Sequence, residues 1–109
     1  MAVGGATAAH ALYTDCTEDQ VKSSIARLTP EHVATFLTPM TVAAWRERPT
    51  TYLVTERDLA PSPTAQRSMS AQATWTVEID SGHSPMYSHP DELARLLNAA
   101  IDRANAASP

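Results

Sequence analysis

The stretch Glu78-Ile79-Asp80-Ser81-Gly82-His83-Ser84-Pro85-Met86 places a histidine on a glycine-containing loop directly after an apolar segment. A second polar group follows the same kind of segment, because Tyr52-Leu53-Val54 leads through Thr55-Glu56-Arg57 to Asp58. The carboxyl ends of the strands in an open parallel sheet share one edge, where ligands bind, so we expect Asp58 and His83 to meet there. An acid that orients an imidazole supplies two of the three members of a nucleophilic triad. This pair is the candidate catalytic centre of the sequence.

Each of the two assignments has a simpler alternative. The alternative for His83 is a loop histidine that only forms local hydrogen bonds. For Asp58 it is a turn residue ahead of the segment Pro61-Ser62-Pro63, because aspartate is common in turns. Glu56 is an alternative acid, since it follows the same apolar segment.

The segments at residues 50–55 and 74–79 predict two buried strands. Both are short, apolar and rich in β-branched residues, without the strict alternation of a strand that has one face in water. Between them, Pro61-Ser62-Pro63 opens a segment with Ala65, Met69 and Gln72 at helical spacing. Residues 50–79 therefore predict a strand-helix-strand crossover with a parallel strand pair.

The sequence before the first strand is predicted to be mostly helical. The alanine-rich residues 6–12 are compatible with a short helix or with an irregular lead-in. Thr17-Glu18-Asp19-Gln20 has the form of a capping box and predicts a helix over about residues 18–28. Thr29-Pro30-Glu31 predicts the start of a second helix, with Val33, Phe36 and Leu37 on one face, that ends at Pro39. Together the two helices are predicted to form a lid.

After Ser88-His89-Pro90-Asp91, the chain carries its strongest amphipathic pattern. The apolar positions of this predicted last helix are Leu93, Leu96, Leu97, Ala100, Ile101 and Ala104. This face is expected to pack on the sheet.

Length and composition limit the function classes. With 109 residues, 43% of them hydrophobic, the chain fits one small globular domain, and no apolar run is long enough to span a membrane. The net charge is −4 and the basic residues are scattered, which argues against nucleic acid as a partner. The single cysteine, Cys16, allows no intrachain disulfide, and the amino terminus has no secretion signal, so we expect a cytoplasmic location. His10, His32 and His89 show no metal-ligand spacing, and no metal or cofactor is expected.

The order of these elements resembles the last part of the α/β-hydrolase superfamily. Pro49-Thr50-Thr51-Tyr52-Leu53-Val54-Thr55-Glu56-Arg57-Asp58-Leu59-Ala60-Pro61 is similar to the family's penultimate strand with the triad acid. Residues 78–93 are similar to its final strand, triad histidine and closing helix. The branch that looks most similar is that of the bacterial esterases related to plant methylesterases and hydroxynitrile lyases. By this resemblance, residues 1–48 are a cap segment, which includes Leu12-Tyr13-Thr14-Asp15-Cys16, and residues 49–109 are the carboxyl-terminal part of the core.

The sequence departs from the family pattern at the nucleophile. The family carries its serine in a Gly-Xaa-Ser-Xaa-Gly elbow ahead of the cap, and no such motif occurs in these 109 residues. Gly82-His83-Ser84-Pro85-Met86 matches only the first three positions, so Ser84 is not expected to be the nucleophile. Cys16 lacks an elbow and is predicted to be a structural thiol. We expect the DNA upstream of the first codon to encode more of a hydrolase.

The resemblance implies ester hydrolysis of a small-molecule substrate, with His83 as general base and Asp58 as the acid that orients it. The candidate pocket residues are Trp45, Phe36, Met40 and Met86. Related hydroxynitrile lyases carry a lysine where this chain has Ser84, which favours an esterase over a lyase. The alternative is a non-catalytic hydrolase remnant or truncated product that binds a partner, or associates with itself, through an exposed sheet edge.

Overall fold

The computed structural model describes residues 4–108 of the chain. Its helices are α1 (Gly5–Leu12), α2 (Glu18–Ala26), α3 (Ala34–Leu37), α4 (Pro63–Ser70), α5 (Pro85–Ser88) and α6 (Pro90–Ala107), with a 3-10 turn at Ala44–Arg46. Its strands are β1 (Thr51–Thr55) and β2 (Trp75–Ile79). The fold is thus the predicted partial α/β arrangement, with helices first and a strand-helix-strand unit before the last helix. No helix within residues 4–108 is long and apolar enough to cross a membrane.

The predicted crossover between the two strands is confirmed. β1 and β2 pair in parallel over their whole length, with Leu53 opposite Val77 at the centre. The connecting helix α4 begins after Ser62, whose hydroxyl accepts a hydrogen bond from the Ala65 amide at 3.3 Å. Because the strands are parallel, both of their carboxyl ends lie at the same edge of the sheet.

The two faces of the sheet carry different helices. Tyr52 of β1 lines a cavity of about 370 Å³ together with Met69 of α4. Leu53 and Val77 line a smaller cavity of about 60 Å³ together with Leu96 of α6. Since successive side chains of a strand point to opposite faces, α4 and α6 lie on opposite sides of the sheet.

The last helix packs on the sheet over only part of its length. The most buried apolar side chains of the strands are Val54 and Ile79, yet α6 itself has no buried residue. Leu97 and Ile101 are both more than half exposed. A helix of 18 residues is about 27 Å long, whereas a strand of five residues is about 17 Å long, so the helix is longer than the strands. The expected packing is present but leaves its face only half-buried: Leu96 lines a cavity with the strands, and further along Arg103 donates to the Thr51 hydroxyl at 3.4 Å and lies over the Trp75 ring.

α1 and α2 pack together and also contact the segment after the histidine loop. Ala8 of α1 is fully buried. The Gln20 side chain donates to the Tyr87 carbonyl at 3.0 Å, and the Arg27 guanidinium donates to the Tyr87 hydroxyl at 3.1 Å. The rings of Tyr13 and Tyr87 meet edge to face, with centroids 6.3 Å apart. This set of contacts on Tyr87, here called the Tyr87 brace, joins the amino-terminal helices to α5.

The predicted capping box is present at the start of α2. The Thr17 hydroxyl accepts from the Gln20 amide at 3.3 Å, and the Gln20 side-chain oxygen accepts from the Thr17 amide at 3.0 Å. The alanine-rich segment before it was compatible with a short helix or with an irregular lead-in, and it forms the helix α1. α2 ends at Ala26, two residues earlier than predicted.

The second helix of the predicted lid is shorter than the sequence predicts. It was expected to start at Pro30, but α3 is a single turn, Ala34–Leu37. The His32 imidazole accepts a hydrogen bond from the first amide of α3 at 3.1 Å, which places the helix start after Pro30. Phe36 and Leu37 are 65% and 73% exposed, and a short helix without tertiary packing is marginal. The division into a cap at residues 1–48 and a core at residues 49–109 stays a prediction.

Candidate active site

The loops that follow the two strands run side by side. Beyond the paired strands, the Glu56 amide donates to the Ile79 carbonyl at 3.0 Å, and the Arg57 amide donates to the Ser81 carbonyl at 2.9 Å. These bonds continue the parallel ladder into the acid loop and the histidine loop. They bring together residues that are far apart in sequence at the carboxyl edge of the sheet.

His83 and Asp58 meet at this edge, as the sequence predicts. The Nδ1 atom of His83 lies 3.0 Å from Oδ2 and 3.2 Å from Oδ1 of Asp58. Since a carboxylate only accepts hydrogen bonds, Nδ1 is the donor in this pair and Nε2 is left as the second ring nitrogen. The Asp58 side chain is 4% exposed, whereas that of His83 is 36% exposed. The acid is therefore enclosed, while the imidazole reaches the surface.

Asp58, rather than Glu56, is the acid that contacts the histidine. Its two oxygens also accept hydrogen bonds from the Thr55 hydroxyl at 2.8 Å and from the Ala60 amide at 2.9 Å. The Glu56 carboxylate instead pairs with Arg67 at 3.2 Å. With donors on both oxygens, the Asp58 carboxylate is fixed in one orientation toward the imidazole.

A buried glutamine holds the acid loop from the side of α4. Gln66 is 3% exposed. Its side-chain oxygen accepts from the Thr55 amide at 2.9 Å, and its side-chain nitrogen donates to the carbonyls of Thr55 at 3.2 Å and Pro61 at 3.0 Å. A continuous path of hydrogen bonds thus runs from Gln66 through Thr55 and Asp58 to His83. The sequence analysis did not identify Gln66 as a residue of the site. The signal available in the sequence was its position, three residues before Met69, which puts a polar side chain close to the predicted apolar face of the helix.

The histidine loop is held on its other side by Asp15, between α1 and α2. The Gly82 amide donates to Asp15 Oδ2 at 2.8 Å. Arg57 and His89 each place a nitrogen near the same oxygen, at 3.7 Å and 3.6 Å. Burial would raise the pKa of the Asp15 carboxyl, but the hydrogen bonds, the Gly82 amide first among them, and the Arg57 charge lower the pKa below its ordinary value of 3.8. Asp15 was predicted only as part of a cap segment, and its contact with the loop spans 67 positions of sequence.

Ser84 and Cys16 are the two further side chains in the sequence that could act as nucleophiles. The Ser84 hydroxyl donates to the Leu12 carbonyl at 2.8 Å, and Ser84 is 5% exposed. The pKa of the Cys16 thiol is raised by burial and by the negative charge of Asp15. A raised pKa disfavours the thiolate, which is the reactive form. That neither residue is the nucleophile stays a prediction.

The predicted pocket residues lie in the amino-terminal half or on the surface. Met40 and Trp45 together line a cavity of about 170 Å³. Trp45 also lines the 370 Å³ cavity beside Tyr52, whereas Asp58 and His83 follow the other end of the strands. Phe36 and Met86 are 65% and 54% exposed. A substrate pocket built from these four residues stays a prediction. Over residues 4–108, no three histidine, cysteine or acidic side chains converge in a way that could hold a metal ion.

A model of the alpha/beta hydrolase family matches residues 4–96, which include both strands and the acid-histidine pair. The chain belongs to the alpha/beta hydrolase family. The alpha/beta hydrolase nvfD of Aspergillus novofumigatus (strain IBT 16806) is 36% identical over 96 residues, which cover 85% of this chain and 38% of that protein. The probable hydrolase R7 of Phoma sp. (strain ATCC 20986 / MF5453) is 26% identical over 104 residues, covering 89% of this chain and 43% of the relative.

The chain thus spans about two fifths of the length of the curated relatives it matches. No solved structure gives a significant match to it. The resemblance to the superfamily is confirmed, while the branch of bacterial esterases stays a prediction.

Proposed function

We propose that this hydrolase chain carries the base and the acid of a Ser-His-Asp triad that hydrolyses ester bonds in small molecules. The observation that supports the proposal best is the bond from His83 Nδ1 to the enclosed Asp58 carboxylate, 3.0 Å long. It fixes the tautomer in which Nε2 is free to accept a proton. Within residues 4–108 no side chain or backbone group is bonded to Nε2, and the ring is 36% exposed.

In this proposal the imidazole shuttles a proton between the nucleophile and the leaving group. Nε2 takes the proton of the serine hydroxyl as the serine attacks the ester carbonyl, and then gives it to the leaving alcohol. A water molecule then gives a proton to Nε2 as it attacks the acyl-serine, and that proton returns to the serine oxygen as the acid is released. Asp58 keeps the ring oriented and stabilises the imidazolium that forms in between. Asp58 is suited to this role because donors from Thr55 and Ala60 already hold its oxygens. The serine itself would come from a Gly-Xaa-Ser-Xaa-Gly segment ahead of these residues.

Ester hydrolysis is favoured over the lyase reaction of the related branch by the residue after the histidine. Ser84 stands where those lyases carry a lysine, and its hydroxyl is bonded to the Leu12 carbonyl. The position therefore provides no cation beside His83 for a cyanide leaving group.

The proposal is tested in a polypeptide in which a hydrolase segment with the serine elbow precedes residues 1–109. We expect His83→Ala to lower the turnover of a p-nitrophenyl ester by about 10⁴-fold, the scale for loss of a triad member. His10→Ala, which changes an exposed histidine of α1, serves as the control and should leave turnover unchanged. Near-normal turnover in His83→Ala would show that the histidine is not the base.

As a second candidate, we propose that the 109-residue chain associates with a second copy through its sheet edge. The supporting observation is an apolar groove of about 460 Å³ between the start of β1 and α6, lined by Thr51, Leu97 and Ile101 among others. It lies beside β1, which within residues 4–108 pairs with β2 alone. Free strand edges favour pairing with another chain. Size-exclusion chromatography over a hundredfold range of concentration should show a dimer, and a monomer throughout would refute the idea.

A further inference from the structure

We propose that Asp15 is a positioning residue for His83, acting on the backbone of the histidine loop while Asp58 acts on the imidazole. The proposal rests on the proposed function of His83 as the base. Asp15 accepts the hydrogen bond of the Gly82 amide at 2.8 Å, directly before the histidine. Two carboxylates from separate segments of the chain would then fix the histidine, one through its main chain and the other through its ring.

The absence of a side chain at Gly82 is what lets the carboxylate approach. A Cβ atom at this position would lie 2.7 Å from Asp15 Oδ1 and 2.8 Å from the Thr14 hydroxyl, closer than atoms can pack. Among the described residues no glycine has a positive φ, so the backbone conformation does not require glycine here. The glycine is needed because the Thr14-Asp15 turn sits against the loop.

The charge of Asp15 is balanced by groups that belong to the same site. Arg57, the residue before the triad acid, donates to the Asp80 carbonyl at 2.7 Å and to its carboxylate at 2.8 Å, and reaches to 3.7 Å from Asp15. His89 approaches Asp15 from the start of α6. Arg57 thus joins the acid loop, the end of the second strand and Asp15. The side chain of Asp15 is only 10% exposed, so its charge acts on these neighbours with little screening by water.

Asp15 itself is held in place by the packing around it. It follows α1 directly and precedes the capping box of α2, and the Tyr87 brace joins these helices to α5 on the far side of His83. Its second oxygen, Oδ1, is buried and has no hydrogen-bond partner in residues 4–108. The hydrogen bond from the Gly82 amide is made to Oδ2, so a substitution that removes the carboxylate removes this bond together with the contacts of Arg57 and His89.

The experiment uses the whole chain, labelled with ¹⁵N, and two NMR observables. The first is the far-downfield resonance of the His83 Nδ1 proton, which reports on the bond to Asp58. The second is the hydrogen-exchange rate of the Gly82 amide. For Asp15→Ala we expect exchange at Gly82 to rise on the order of tenfold to a hundredfold, because a hydrogen bond to a charged acceptor is lost. We also expect the Nδ1 resonance to disappear. Asp102→Ala, at an exposed acid of α6, is the matched control and should change neither observable.

Asp15→Asn is the conservative variant, since an amide oxygen can still accept from Gly82. We expect exchange at Gly82 to rise by less than tenfold and the Nδ1 resonance to persist at a shifted position. If Asp15→Ala does not fold, Asp15→Asn decides: a Nδ1 resonance and Gly82 exchange identical to wild type would overturn the proposal. If Asp15→Ala folds and exchanges faster at Gly82 while the Nδ1 resonance stays unchanged, Asp15 is structural only and the proposal is equally refuted.

These outcomes are separate from the test of the proposed function. Failure of ester hydrolysis in the serine-bearing polypeptide would remove the triad role without changing either NMR observable. An unaltered Nδ1 resonance in the Asp15 variants would remove the positioning role while leaving the hydrolase assay as it was.

Discussion

Replacing Gln66 by leucine removes the buried carboxamide that joins β1 and α4 to the acid loop. The leucine is similar in size, so the main change is the loss of hydrogen bonds rather than of volume. Gln66 bonds to the amide and carbonyl of Thr55 and to the carbonyl of Pro61. Thr55 in turn donates to Asp58, so the perturbation also reaches the acid of the proposed triad.

The expected loss of stability can be worked out bond by bond. The Thr55 amide is left buried and unpaired, which costs about 1–3 kcal/mol. The Thr55 carbonyl keeps a bond from the Asp58 amide at 3.2 Å, and Pro61 is exposed, so these two lost bonds cost about 0.5–1.5 kcal/mol each. Burial of the apolar leucine side chain adds back about 1 kcal/mol to the free energy of unfolding. The net free energy of unfolding should therefore fall by about 3 kcal/mol, which corresponds to a Tm lower by roughly 12 °C.

The assay is urea and thermal unfolding of the 109-residue chain, followed by far-ultraviolet circular dichroism. Gln72→Leu is the matched control, since Gln72 is an exposed glutamine just beyond α4 and should change stability by less than about 0.5 kcal/mol. A fall below about 1 kcal/mol for Gln66→Leu would refute the reasoning, because the Thr55 amide would then have found another partner.

Three further changes test other parts of the structure. Asp58→Asn in a serine-bearing polypeptide should lower ester turnover by about 10⁴-fold, since an amide favours the wrong tautomer of His83; a loss under tenfold in the same p-nitrophenyl assay would argue against the acid role. Thr17→Ala should lower the free energy of unfolding by about 1 kcal/mol in urea denaturation, because the capping box with Gln20 is lost, and an unchanged midpoint would speak against the cap. The folded-state pKa of Asp15 is lowered, so the stability it contributes is present above its ordinary value of 3.8 and is lost as the pH falls through the folded value. Urea unfolding should accordingly show a gap between wild type and Asp15→Asn at pH 7 that narrows at pH 3, and a gap of constant size would contradict the lowered pKa.

The parts of the fold that could be predicted from sequence are those with a local signal. The capping box at Thr17 depends on four consecutive residues, and the two strands are short segments with a clear composition. The meeting of Asp58 and His83 followed from one rule of topology, that parallel strands end at the same edge. The prediction of the second helix was wrong because Pro30 is only a local start signal, and residues 28–42 are exposed, so little burial supports a long helix there.

The supporting residues of the site could not be predicted because their partners are distant or their roles are common. In the sequence Gln66 is an ordinary polar residue of a predicted helix, and only the structure shows that it contacts the end of β1. Asp15 lies 67 positions from the amide it binds, in a segment whose only sequence signal was its place before a capped helix. The short helix α5 was also missed, since a helix of four residues is too short to show a periodic apolar pattern.

The amino-terminal segment has one part that contributes to the Tyr87 brace and a later part that does not. The residues that touch the histidine loop and α5 all come before residue 28, whereas residues 28–42 are exposed throughout. Insertions, deletions or grafted sequences in this later stretch should therefore be tolerated without displacing Asp58 or His83. The sequence of residues 28–42 can then change in length and composition while the hydrogen bond between Asp58 and His83 is kept.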